Sequence, residues 1–226
     1  MWYTECMKQT SAKVCSILLS LVLALFAVSA SVAVPTLWRG FYYLHIDALE
    51  LPAQTGYSEE VIREAFDAMM DYEWKGADFS TGQLKWSEEG MQHFADVRVL
   101  FHLDIWMLVI TAVLLLLFFL FRKKIPLHRF RGFPPSFFAG TGMIVFFGIV
   151  AALAALDFDR AFTVFHRIFF PGKTNWIFDY RQDEIIRILP QVYFRNCAIL
   201  AVGLIVCFCA GYLLYGLRGK KRRGSG

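Results

Sequence analysis

Residues 99–121 read VLFHLDIWMLVITAVLLLLFFLF, apolar apart from His102 and Asp104 near the start. Crossing the hydrocarbon core of a bilayer takes about 20 mainly apolar residues, and this run has the length. A helix in a soluble core keeps a polar stripe toward water, and none is offered here. Three further runs, 14–34, 136–156 and 196–217, contain no charged residue at all. Composition agrees: 57% of the 226 residues are hydrophobic, 17% aromatic and 19% charged, against about 45–50% apolar and about 25% charged in soluble domains. Long disorder, poor in aromatics and rich in charge, is excluded. The sequence therefore predicts an all-α membrane protein with four transmembrane helices, organised as a single membrane domain over residues 1–226.

The first run shares features with a cleaved signal peptide, with Lys8 and Lys13 before it and Ser31-Val32-Ala33 near its end. It exceeds the usual apolar stretch of about 7–15 residues in such peptides, so a retained helix is expected. Basic residues set the orientation. Lys8 and Lys13, then Arg122, Lys123, Lys124, Arg129 and Arg131, then Arg218, Lys220, Lys221, Arg222 and Arg223 flank the spans, with Glu5 the one acid among them. Segments 35–98 and 157–195 hold most of the acids. Both termini are thus expected in the cytoplasm, and the two long polar segments are expected to form a small extracytoplasmic cap of short helices and loops. The basic tail suits anionic membrane lipids. The basic clusters sit at span ends, so no nucleic-acid partner is expected.

Cys6 and Cys15 lie near the N-terminus, and Cys197, Cys207 and Cys209 lie in or beside the fourth run. None falls elsewhere in the polar segments, so no disulfide framework is expected there. Zinc-type spacing is absent as well, and neither a metal nor an organic cofactor is indicated.

Within the first polar segment, the aromatic stretch RGFYYLHI (39–46) reads as an interfacial belt. Ser58-Glu59-Glu60 reads as a helix start, followed by Ile62, Phe66, Met69 and Met70 on one apolar face. That face is expected to rest on the membrane or on the second polar segment. Residues 74–85 read as a loop. Ser87-Glu88-Glu89 starts a second helix that runs through His93, Asp96 and Arg98 directly into the 99–121 span. His93 and Asp96, three apart, are helical neighbours, and a carboxylate beside an imidazole is a base–orienter arrangement. The same pair also fits an ordinary exposed histidine and acid near a helix start. Asp104, three turns beyond His93 on nearly the same side, is costly inside a span and is expected to face a partner or a water-filled cavity. His102 points elsewhere, toward the interface.

In the second polar segment, FHRIFFPGKTNWIFDYRQDEIIRILP (165–190) places His166 and Arg167 among aromatics. Pro171-Gly172 is a turn, with a short β-hairpin or an extended loop on its flanks. Asp183-Glu184 opens a short helix stopped by Pro190. Trp176 and most of the Phe residues read as interfacial anchors. An imidazole held among aromatics at the lipid boundary is partly desolvated, and its neutral form suits a general base.

The stretches FHRIFF, NWIFD, DEIIRILP and YF between His166 and Phe194, with SEEGMQHFADVRVLF around His93, resemble the signatures of the lipoprotein intramolecular transacylase family, Lit. The resemblance covers nearly the whole chain. Family members often carry an Asn-Asp pair before the Trp and a Pro after the Asp, positions held here by Lys173-Thr174-Asn175 and Tyr180. The resemblance implies a bacterial plasma-membrane enzyme that moves the sn-2 acyl chain of a diacylglyceryl-Cys lipoprotein to that Cys α-amine, giving the lyso form. It implies His93 and His166 as catalytic residues, His166 deprotonating the amine and His93, oriented by Asp96, protonating the leaving oxygen, or the reverse. Arg98 or Arg167 would hold the oxyanion, the alternative for either being an anchor at the lipid headgroups, and Trp176 and Asp179 complete the supporting or substrate-binding set. The expected partners are a diacylated lipoprotein or lipopeptide and membrane lipids, with the chain a monomer. Two rivals use the same residues differently: another histidine-dependent lipid hydrolase or acyltransferase, and a non-catalytic sensor or scaffold.

Overall fold

The computed structural model describes the backbone of residues 2–224 and the side chains of residues 7–220. Glu5, Cys6 and the basic residues Lys221, Arg222 and Arg223 lie outside the described side chains. Among the described residues the structure is helical, in the order α1 (Trp2–Leu37), α2 (Arg39–Ala48), α3 (Leu51–Thr55), α4 (Glu59–Lys75), α5 (Glu88–Phe121), α6 (Pro135–Leu156), α7 (Phe158–Phe169), α8 (Ile185–Ile188) and α9 (Gln191–Gly224). The nearest approach to a strand is one isolated bridge between Phe130 and Phe133. Four helices contain segments long and apolar enough to cross a membrane: Met7–Leu37, Glu88–Phe121, Pro135–Leu156 and Gln191–Lys220. The four apolar runs of the sequence lie inside them. At 34 residues, α5 is roughly 50 Å long against a hydrocarbon core of about 30 Å. Its first turns, which carry His93 and Asp96, therefore precede the apolar run.

The chain divides into two compact units, Met1–Val32, Asp104–Ala152 and Ala201–Gly226 forming one, and Ala33–Leu103 and Leu153–Leu200 the other. In the first, Ala27, Met143, Ile205 and Cys209 are buried together. A Cβ on Gly140 would meet the Cys209 carbonyl at 3.2 Å, the close approach that small residues allow between helices in lipid. The Tyr212 hydroxyl donates to the Leu23 carbonyl at 3.0 Å. Side chains such as Leu116 and Leu120 stand outward, as hydrocarbon solvent permits. Asp104, the acid expected to need a partner, has the Ser29 hydroxyl at its carboxyl, and its Oδ2 is buried with no partner among the described residues.

The second unit has a core of its own. Ser58 caps α4, its hydroxyl accepting from the Val61 amide at 3.3 Å, and the predicted face of Ile62, Phe66, Met69 and Met70 is buried. It packs with Ile185, Ile188 and Leu189 of the second polar segment, the second of the two alternatives. Each such side chain contributes about 1.5–3 kcal/mol on burial. The stretch expected to be an interfacial belt is instead α2, an amphipathic helix. Tyr42 and Ile46, one turn apart, are fully buried. Tyr42 stacks on Phe66 at 3.7 Å between centroids and donates to the Ile188 carbonyl at 2.8 Å. Leu44, on the opposite face, stays exposed.

Two further expectations are refined. The flank 167–169 is neither hairpin nor extended but the last turn of α7, which Asp157 caps by accepting from the Arg160 amide at 2.9 Å. The four-residue spacing of Phe162, His166 and Phe170 puts them on one helical face, where a strand would alternate, and turns then carry the chain through 171–182. His102, expected toward the interface, has its Nε2 2.8 Å from the Glu73 carbonyl and its ring stacked on Trp74.

Asp183 fixes the second polar segment to the start of α5. Its carboxylate accepts from the Ser87 amide at 2.7 Å and from the Ser87 hydroxyl at 2.9 and 2.8 Å. The same hydroxyl accepts from the Gly90 amide at 3.0 Å, so Ser87 is the predicted helix cap. Gly90 leaves no room for a side chain: a Cβ there would overlap the Asp183 carboxylate and meet Phe178 at 3.2 Å. Gly90→Ala is therefore expected to lower the melting temperature of the detergent-solubilised protein by destabilising it about 1–3 kcal/mol, the usual cost of overpacking. An unchanged melting temperature would show that Asp183 moves freely.

Candidate active site

His93 reaches the site from α5 and His166 from α7. They are 73 residues apart in sequence, yet their ring centroids lie 5.7 Å apart. Both are buried, 5% and 7% exposed, and their surroundings are aromatic. Phe170 and Phe178 pack edge-to-face with His93 at 5.0 and 5.4 Å between centroids. Trp176 stacks on His166 at 4.6 Å, and Phe162 lies 4.2 Å from it on another side.

The His166 Nδ1 is 2.7 Å from the Phe162 carbonyl, one helical turn back. A carbonyl only accepts, so Nδ1 carries the hydrogen and Nε2 of the neutral ring keeps its lone pair. Burial pulls the His166 pKa below the ordinary imidazole value, opposed by the Phe162 bond. The Nδ1 of His93 is buried with no hydrogen-bond partner among the described residues.

Asp96 stands one turn from His93 but does not bond to that Nδ1. Its Oδ1 accepts from the Lys173 ammonium at 2.5 Å and its Oδ2 from the Asn175 amide at 3.1 Å. The Trp176 indole N–H donates to the Lys173 carbonyl at 3.1 Å. Asp96 thus ties the 173–176 turn, with the indole that covers His166, to α5. The expected direct hold on His93 is absent, because the turn supplies a cation and an amide that take both carboxylate oxygens.

The remaining expected residues scatter. Arg98 is five residues, about 140°, around α5 from His93 and lies over the Tyr72 ring at 4.9 Å. Arg167 is exposed beside His166. Asp179 shapes a turn, its Oδ1 accepting from the Arg181 amide at 3.0 Å. A cleft of about 300 Å³ opens beside the turn, lined by Ser87, Glu88, Glu89, Asn175, Asp179 and Asp183 among others. Glu73, fully buried with neither carboxylate oxygen partnered among the described residues, has its pKa pushed up by burial to about 8, against the pull of Arg98. Lys173, Asn175, Phe170 and Phe178 belong to the site although no sequence motif marks them. The run KTN beside Trp176 is polar loop sequence, and nothing in it signals a bond to a carboxylate 77 residues earlier.

Fold and site together define a multi-pass membrane protein, helical over the described residues, with two buried imidazoles side by side. The model of the lipoprotein intramolecular transacylase family Lit matches residues 17–194. The chain belongs to that family, and so to the transferases. An in meso structure of the membrane integral lipoprotein intramolecular transacylase Lit from Bacillus cereus is 19% identical, with 98% of this chain and 100% of that one covered, at a TM-score of 0.83. A form of that protein with one histidine replaced by arginine is 20% identical, with 100% and 97% covered, at 0.76. At these identities the likeness shows a shared fold. No curated protein sequence matches the chain.

Proposed function

We propose that the protein moves the sn-2 acyl chain of a diacylglyceryl-Cys lipoprotein to the free α-amine of the same Cys, leaving a lyso-form product with an N-acyl Cys. The observation that carries this reading is the pair of buried imidazoles 5.7 Å apart in one aromatic nest, in a chain of the transacylase family. Donor and acceptor belong to one molecule, so the site has mainly to orient them, and oriented attack removes about 7–11 kcal/mol of barrier.

In this scheme the amine nitrogen attacks the sn-2 ester carbon. Nε2 of His166 takes the proton the nitrogen sheds, while Nδ1 stays bonded to the Phe162 carbonyl. Burial holds His93 neutral at rest, its pKa lowered to about 4, so the proton taken by His166 passes to His93 and is handed on to the glyceryl oxygen as the carbon–oxygen bond breaks. Both rings end neutral, and the count closes. Arg98 is engaged with Tyr72, which leaves Arg167 of the two expected guanidiniums for the oxyanion. Asp96 acts by fixing the Trp176 turn, and Asp179 by shaping the turn that follows.

The charge pattern supports both termini in the cytoplasm and the site at the outer face of a bacterial plasma membrane. The chain works as one membrane domain and as a monomer, with anionic lipids at its basic ends.

Purified protein incubated with a diacyl lipopeptide bearing a free N-terminus is expected to yield a product of unchanged mass with one acyl group on the α-amine, located by fragmentation. Release of free fatty acid would instead indicate a hydrolase, and an unchanged substrate a sensor or scaffold. The pH dependence of kcat/KM carries the His166 environment. The substrate amine, with a reference pKa of about 7.7–8.0, has to be neutral to attack, which gives the logarithmic profile a slope of one on its acid side. The slope steepens to two only at pH below about 6.5, where His166, its pKa lowered by burial, takes up its own proton. A slope of two already present above that pH would contradict the base assignment.

A further inference from the structure

Asn175 carries an unmatched acceptor on the turn that brings Trp176 against His166. Its Nδ2 donates to Asp96 Oδ2 at 3.1 Å. That bond fixes the amide orientation, since the reverse would set two oxygens against each other. Asp96 is fixed in turn by Lys173. The Asn175 Oδ1 therefore has one orientation, and it is buried with no hydrogen-bond partner among the described residues. Buried acceptors are nearly always satisfied, and each exception calls for an explanation. Leaving one unmade costs about 1–3 kcal/mol.

The position of this oxygen says what would satisfy it. Asn175 adjoins Trp176, which stacks on His166, and Asp96 stands one turn from His93. Asn175 also lines the cleft that opens beside the turn. A carbonyl oxygen accepts only from a donor, and the proposed substrate brings one to this place, the Cys α-amine.

We infer that Asn175 Oδ1 accepts a hydrogen bond from the substrate α-amine and aims the nitrogen lone pair at the sn-2 ester carbon, making Asn175 a substrate-positioning residue of the reaction. The inference rests on the transacylase reading above. Asp96 and Lys173 serve it by holding the amide so that oxygen rather than nitrogen faces the amine. An amine held by one N–H keeps its other proton for His166, so the bond and the proton transfer do not compete.

The test compares two ligands, a diacyl lipopeptide with a free α-amine as substrate and its desamino analogue as competitive inhibitor. In Asn175→Leu, kcat/KM for the substrate is expected to fall at least about tenfold, the scale of one hydrogen bond to a charged or polarised donor. The inhibition constant of the desamino analogue, which has no amine to lose, is expected to stay within about twofold of wild type. Asn175→Ala is expected to behave in the same way. Unchanged kcat/KM in both variants overturns the inference, as does an equal loss for both ligands in both variants, which makes Asn175 a structural residue only. Failure of the wild type to transacylate overturns the underlying reading instead, so the two failures are separable.

Discussion

Transacylation by the His166→Ala variant is expected to fall by about 10²–10⁴, the usual contribution of a positioned general base, with the protein still membrane-inserted. The measurement is the rate of N-acyl lipopeptide formation by mass spectrometry. The ring is tied to its own helix through the Phe162 carbonyl and covered by Trp176, so removal takes away the base and leaves a gap beneath the indole. His166→Gln separates these effects. Its side-chain amide can still donate to the Phe162 carbonyl, yet it has no nitrogen lone pair that accepts a proton near neutral pH. It should be as inactive as the alanine variant and more stable. Activity in the glutamine variant within a few fold of wild type would remove His166 from the chemistry.

His93 produces the second large effect, and here packing has to be parted from catalysis. The ring packs edge-to-face with Phe170 and Phe178 and is 5% exposed. His93→Ala leaves a cavity in the aromatic nest, and large-to-small changes in cores cost about 2–5 kcal/mol. His93→Phe fills much of that space with another ring but has no nitrogen. Loss of product formation by at least about 10² is expected for both variants, with the phenylalanine form melting close to wild type. An active His93→Phe protein would leave His93 a packing residue and reduce the proton relay to His166 alone.

Legibility followed the range of the forces involved. The spans were readable because bilayer thickness imposes a length and apolarity that a run of sequence either has or lacks. The helix starts at Ser58 and Ser87 were readable because a cap is a contact within three residues. The α2 stretch was misread as a belt because aromatic composition is common to a membrane interface and to a core. Only the partners Phe66, some twenty residues on in α4, and Ile188, in the second polar segment, distinguish the two. The candidate site divides in the same way. His93 and His166 stood out by residue type, by aromatic setting and by family resemblance. Asp96 was assigned to the neighbour that helical spacing offers, while its carboxylate went to Lys173 and Asn175 on a distant turn.

The sequence by itself determined four apolar helices, the continuity of α5 through His93 into its span, and the family. These depend on local periodicity and on partition between water and hydrocarbon, both written along the chain. Tertiary structure alone decided that the two imidazoles share one aromatic nest, and that Asp96 holds the turn of Lys173 and Asn175 instead of a histidine. Hydrogen bonds and ring contacts act over a few ångströms, and which groups come that close is settled only when segments remote in the chain pack together.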